Sequence, residues 1–201
     1  IIRPDSPTQR LTYQIQDSFL QAQHAIPLLS LENSYDAQDL ADWNESLQKL
    51  YAKENVVEYS FICEPKYDGI CVELVYEEGA LTQAITRGDG YVGEDITQNI
   101  KTMFSIPLLL KDTTIHTLRV RGEIVMNKKA LERVNEERAK NNEPIFANVR
   151  NAASGSLRQL DTSVTARRGL TYYAYEVLDV TADNFPAFSA DTDALKRLQQ
   201  Q

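Results

Sequence analysis

Apolar residues recur along this chain in two rhythms, and the rhythms divide it into elements. After Asp36, a suitable helix N-cap, Leu40, Trp43, Leu47 and Leu50 fall three or four positions apart. That spacing predicts a helix over about 37–52, expected to pack on the core. Its acidic first half and Lys49 near its end suit the helix dipole. A short apolar run at 59–63 reads as a strand ending near Pro65. Residues 69–77 and 80–87 then flank Glu77-Glu78-Gly79, which predicts a hairpin whose glycine supplies a positive φ. Residues 117–126 read as a strand, and 128–141 as a charged helix with Ala130, Leu131, Val134 and Ala139 inward. A short helix at 148–158, a Tyr- and Val-rich strand at 170–180 and a terminal helix at 191–201 complete the pattern. Strands predominate without regular βαβ alternation, so the predicted class is α+β, with mainly antiparallel sheets flanked by helices. Residues 1–35, rich in Gln, Ser and Pro, read as an extended arm ahead of a domain at 36–201.

Composition narrows the function. The 201 residues allow one sizeable core or a domain with an arm, and 42% hydrophobic with 25% charged is ordinary for a soluble globular protein. No apolar run reaches the roughly 20 residues of a membrane span, and no leader-like stretch precedes the first motif. The start at Ile-Ile suggests a fragment. Cys63 and Cys71, on neighbouring predicted strands, read as reduced core residues of a cytoplasmic protein. His24 and His116 are far apart, and no Cys/His spacing indicates a metal site. A net charge of −8 argues against a free-standing nucleic-acid binder. Between Pro144 and Leu170, however, Arg150, Arg158, Arg167 and Arg168 face the single acid Asp161, making a local +3 suited either to solvent or to phosphate.

The chemistry centres on Glu64-Pro65-Lys66-Tyr67-Asp68-Gly69, where a lysine stands at the end of a largely apolar run. A free lysine titrates near pH ~10.4 and is inert at neutrality, so a nucleophilic Lys66 requires a site that favours the amine. Asp68 and Glu64, each two residues away on a strand, would share its face. The ordinary alternative for Lys66 and Asp68 is a surface ion pair, worth under about 1 kcal/mol. Gly88-x-Gly90-x-x-Gly93 matches the dinucleotide fingerprint. Asp89, Glu94 and Asp95 would repel a pyrophosphate there and Pro107 limits any following helix, so these read as turn glycines.

Lys-x-Asp-Gly is also the signature of covalent nucleotidyltransferases. With Thr86-Arg87-Gly88-Asp89-Gly90, Gly93-Glu94-Asp95-Ile96-Thr97, Val120-Arg121-Gly122-Glu123, Phe146-Ala147-Asn148 and the 150–161 segment, the chain resembles the adenylation domain of bacterial NAD-dependent DNA ligases, from Pro4 to about Val177. The resemblance implies a nucleotidyltransferase (ATP-grasp-like ligase) core with its last strands missing. It implies that Lys66 attacks the adenylyl phosphorus of NAD with Asp68 holding the lysine or a hydrated metal. Glu64 and Tyr175 would contact adenosine, the latter by stacking on adenine. Glu123 would hold the ribose hydroxyls, Arg87 the ribose or phosphate, Ser30 and Leu31 the dinucleotide, and Arg150 and Arg158 the adenylate and nicked DNA. Within strand 170–180, Tyr173 is expected in the core. Glu176 stands where the family often has a small residue.

The family's upstream domain gripping the nicotinamide mononucleotide half has no counterpart here. Neither has the later Asp-Gly-Val-Val strand with its lysine, nor the OB-fold, zinc, helix-hairpin-helix and BRCT regions. The expectation is therefore a truncated, monomeric, cytoplasmic ligase segment with no membrane partner, weak in self-adenylation. It would use NAD and Mg²⁺ and act in DNA repair and replication on nicked double-stranded DNA. An ATP-dependent ligase or capping-type enzyme, or a non-catalytic nucleotide-binding remnant, are the alternatives.

Overall fold

The computed structural model describes Ser6, residues 15–54 and residues 59–183; the expected helix at 191–201 lies outside them. Two compact units emerge, one of 1–28 with 67–201 and one of 29–66.

The larger unit is organised by a four-stranded antiparallel sheet. β1 (Gln21–Gln23) belongs instead to a two-stranded sheet with β4 (Val92–Glu94). The main sheet has the order β3-β2-β5-β6, from β2 (Ile70–Glu77), β3 (Ala80–Thr86), β5 (Ile115–Met126) and β6 (Leu170–Ala182). The predicted hairpin forms, with Glu78 at φ 48 and Gly79 at φ 76, the double positive φ that suits a two-residue turn to strand twist. Strand alternation sends Val72, Leu74, Tyr76, Leu118, Val120 and Ile124 to one face. These join Ile96, Ile100, Met103, Ala152, Ala153 and Leu157 in the core. The opposite face carries Cys71, Glu73, Arg119, Arg121 and Glu123, with Val75 and Ile85 buried nearer its β3 side.

Two bulges interrupt β6. Arg121 pairs with Glu176 while Gly122 pairs with Ala174, leaving Tyr175 as an extra residue; Leu178 is extra in the same way between Val177 and Asp179. A bulge keeps two consecutive side chains on one side of the sheet. Tyr175 and Glu176 therefore both accompany Arg121. The expectation for Tyr173 is corrected here. Tyr172 is the ring that packs, half-buried, against the core, its hydroxyl donating to Val120 O at 3.2 Å; Tyr173 is 41% exposed on the polar face.

Short helices close the core face. In the larger unit these are Thr97–Lys101, Lys128–Lys140, Val149–Leu157 and Thr162–Arg167, taken here as α2 to α5. Asn127, Asn148 and Asp161 cap the last three with side-chain acceptors. Along α3 only Ala130 and Val134 are buried; Leu131 is half-buried and Ala139, expected inward, is exposed. Asn99 of α2 is fully buried, donating to Leu157 O at 2.9 Å and Gln159 O at 2.7 Å.

The smaller unit holds α1 (Ala37–Lys53), capped by Asp36 as expected. None of its residues is buried, so the expected packing on a core is not found. Trp43 instead meets Phe61 at 5.2 Å between ring centroids, and Tyr51 meets Tyr59 at 4.7 Å. The predicted strand at 59–63 is absent: 59–68 is irregular. A strand needs a neighbour for its N–H and C=O groups, and no strand lies among the described residues of this unit. With it goes the alternation that put Glu64, Lys66 and Asp68 on one face. Cys63 is exposed rather than in the core, and both cysteines are free thiols.

Candidate functional site: the polar sheet face

The Asp68-Gly69 step begins β2, and its glycine has a steric cause. A Cβ at Gly69 would lie 2.0 Å from the carbonyl oxygen of Ile124. Only a bare Cα lets the motif run this close to β5 beside Glu123. Two contacts fix the residues before it. Tyr67 stacks on Tyr173, with ring centroids 4.4 Å apart and planes 10° from parallel. Asp68 accepts from Arg150 Nε at 2.7 Å, both side chains more than half exposed. The same closeness recurs at Gly122, where a Cβ would meet Tyr172 Cζ at 2.3 Å and Tyr173 O at 2.5 Å.

Cys71 is the hub of the face, and sequence reading missed this role. It lies opposite Glu123 in the β2–β5 ladder. Its carbonyl accepts the Arg87 amide at 3.1 Å, and its thiol accepts from the Tyr175 hydroxyl at 3.5 Å. Arg87, Glu123 and Tyr175 are thus drawn around one residue. Burial pushes the Cys71 thiol up, opposed by the Tyr175 hydrogen bond. Burial, aided by Cys71, also raises the Tyr175 phenol well beyond its ordinary range. Both groups stay neutral, so neither is a nucleophile at pH 7. The Arg121 guanidinium lies 5.7 Å from the Tyr175 ring centroid and pairs with Glu176, which explains an acid at that position. Glu123 is 8% exposed, facing the other polar groups rather than solvent.

The loop after β3 turns at Gly88 and Gly90, both at positive φ, and leads into β4. No long helix opens on these glycines, since α2 is only five residues; they are turn residues, as expected. Arg158, at the end of α4, pairs with Glu94 at 2.6 Å, and Arg168 with Glu137 at 3.2 Å. Three arginines of the local positive segment, Arg150 included, thus rest on carboxylates. In the smaller unit Ser30, Leu31, Glu64 and Lys66 are all exposed. Lys66 is its last residue, covalently joined to Tyr67 of the larger unit.

Residues 16–201 match the family model described as "NAD-dependent DNA ligase adenylation domain". The chain belongs to this family. It is 45% identical over 196 residues to a DNA ligase of Geobacter sulfurreducens, covering 97% of this chain and 29% of that protein. It is 49% identical over 178 residues to a DNA ligase of Thermodesulfovibrio yellowstonii, covering 88% and 26%. A DNA ligase of Marinomonas sp. is 48% identical over 177 residues, covering 88% and 26%. The chain thus spans somewhat over a quarter of the length of these relatives. Its mixed helix and antiparallel-sheet architecture is that of an adenylation domain, as the motif order implied. Among the described residues no helix is long and apolar enough to cross a membrane.

Three features of this adenylation domain escaped sequence reading: Cys71 as hub, the Tyr67–Tyr173 stack, and a buried His24–Glu73–Arg119 chain. Only the last left a trace. Glu73 interrupts an apolar run, and a buried acid requires a partner.

Proposed function

We propose that this chain performs the nucleotidyl-transfer step of an NAD-dependent DNA ligase. Lys66 Nζ, as the free amine, attacks the adenylyl phosphorus of NAD. A P–N bond forms, the P–O bond to nicotinamide mononucleotide breaks, and the mononucleotide leaves with its phosphate. The lysine–AMP then passes AMP to the 5′-phosphate of a DNA nick, and the 3′-hydroxyl displaces it. Glu123, acceptor-only when ionised, suits ribose hydroxyls; Tyr175 suits the adenine face; Arg87 suits the ribose or phosphate. Ser30, Leu31 and Glu64 complete the dinucleotide contacts. Asp68 orients the lysine, and Arg150 and Arg158 exchange their carboxylate partners for phosphate when nucleotide or DNA arrives.

The observation that carries the reading is the gathering of Arg87, Glu123 and Tyr175 around Cys71 on a polar sheet face. Among the described residues no group of three or more His, Cys, Asp or Glu side chains could hold a metal ion. A Mg²⁺ ion would therefore rest mainly on the nucleotide's own phosphates, with Asp68 as its nearest protein partner on this reading, and no step here runs through it. On this reading the chain works as a monomer in the cytoplasm. Residues 1–35 connect, on this reading, to a domain that grips the mononucleotide half.

Intact-mass spectrometry after incubation with NAD tests the proposal. A slow gain of one adenylyl group is expected, localised to Lys66, absent in Lys66→Ala and weaker with ATP. Stabilisation by NAD without any adduct would support the non-catalytic alternative, and neither effect would overturn nucleotide binding altogether.

A further inference from the structure

Within the polar face runs a largely buried charge chain to which none of the roles above is given. Glu73 is fully buried in mid-sheet and His24, in the arm, is 6% exposed. His24 Nδ1 donates to Glu73 Oε2. Its Nε2 faces the carbonyl oxygens of Thr86 and Arg87 at 3.1 and 3.3 Å. The other Glu73 oxygen accepts from Arg119 at 2.9 Å. Both ring nitrogens of His24 therefore face acceptors only, the arrangement a ring carrying two N–H groups satisfies. A two-ended donor can bridge a sheet carboxylate and a loop backbone, which a single ammonium on a flexible stem does less rigidly.

Backbone contacts fasten the arm to that same loop. His24 N donates to Tyr91 O and Leu28 N to Gly90 O, each at 2.9 Å, while Gly90 N donates to Arg87 O at 2.9 Å. The Arg87 backbone is thus gripped by Cys71 of β2 through its amide and by His24 and Gly90 through its carbonyl.

We propose that His24 is a positioning residue: by clamping the Thr86–Arg87 backbone against Glu73 it aims the Arg87 side chain at the ribose-phosphate of the bound dinucleotide. This rests on the nucleotide role of Arg87 proposed above. The experiment compares the intact chain with His24→Ala, Glu73→Gln, Arg87→Ala and, as a stability control, Val134→Ala. NAD affinity is measured by calorimetry, backbone hydrogen exchange at 86–92 and 149–157, and adduct formation at saturating NAD.

His24→Ala is expected to weaken NAD about ten-fold, the scale on which a lost charge-assisted hydrogen bond acts. Exchange should rise at 86–92 and not at 149–157, with the saturated rate retained. Should His24→Ala not fold, near-isosteric Glu73→Gln decides, with the same signature in smaller degree. Val134→Ala should lower the melting temperature and leave affinity alone. Unchanged affinity in both Glu73→Gln and a folded His24→Ala, beside a weakened Arg87→Ala, sinks the role of His24 only. An equal loss in Val134→Ala does the same. Wild-type affinity in Arg87→Ala, or no NAD binding by the parent chain, sinks the nucleotide reading and this inference with it.

Discussion

Replacing Gly122 by alanine adds one methyl group at a crowded point of the sheet. The new Cβ would sit 2.3 Å from Tyr172 Cζ and 2.5 Å from the Tyr173 carbonyl oxygen, where ordinary contact begins at 3.4 Å. The ring would have to retreat by about 1 Å. It is held by packing against the core and by its hydroxyl, which donates to Val120 O at 3.2 Å and Val72 O at 3.4 Å. Overpacking of this kind costs about 1–3 kcal/mol, and disturbing the hydroxyl adds roughly 1 kcal/mol. A destabilisation of about 2–4 kcal/mol follows, which at this chain length lowers the melting temperature by roughly 5–15 °C. Urea and thermal unfolding followed by circular dichroism would measure it. The cause is separable by a cycle with Tyr172→Leu, whose side chain ends short of the clashing ring atoms. In that background Gly122→Ala should cost at least about 1 kcal/mol less, the remainder coming from the Tyr173 carbonyl. Strict additivity, or a single-mutant cost under about 0.5 kcal/mol, would refute the steric reasoning.

Asn99→Leu should lose about 2–4 kcal/mol, because the buried carbonyls of Leu157 and Gln159 lose their donor; a loss under about 1 kcal/mol in urea unfolding would mean they find other partners. For His116, hydrogen bonds donated to Asp183 first and Glu78 second raise the imidazole above its ordinary value. The stabilisation is therefore fully present below about pH 6.5 and is lost as pH rises through the higher folded value. NMR titration should show Asp183→Asn bringing His116 down, and an unmoved midpoint would dismiss the pairing. Tyr67→Leu and Tyr173→Leu should couple by about 0.5–1.5 kcal/mol in unfolding experiments, whereas additive losses would deny the stack any energetic role.

Local chemistry was readable from the residues in sequence, and long-range partnership was not. The hairpin at Glu78-Gly79, the Asp36 cap and the long strands follow from nearest neighbours. The 59–63 strand failed because a strand is a pairwise object, and apolar composition cannot supply the partner. Tyr173 lies on the polar face rather than in the core because strand phase alone does not say which face is core, and a bulge at Tyr175 shifts the phase within the same strand. His24 was invisible as a functional residue since its partners, Glu73, Thr86 and Arg87, are joined to it only by folding. The motif glycines were legible as motif but not as mechanism. The steric demand at Gly69 comes from Ile124, far along the chain.

The excursion of the chain between Leu28 and Tyr67 separates what holds the molecule together from what is proposed to react. Since the entropy of closing a loop grows only slowly with its length, 29–66 could be replaced by a Gly-Ser connector long enough to span the gap while the larger unit still folds. Such a protein would keep Glu123, Arg87 and Tyr175 yet carry no lysine to receive AMP. Sequence drift inside the excursion is thus filtered mainly by chemistry, and drift around the sheet by folding and nucleotide contact together.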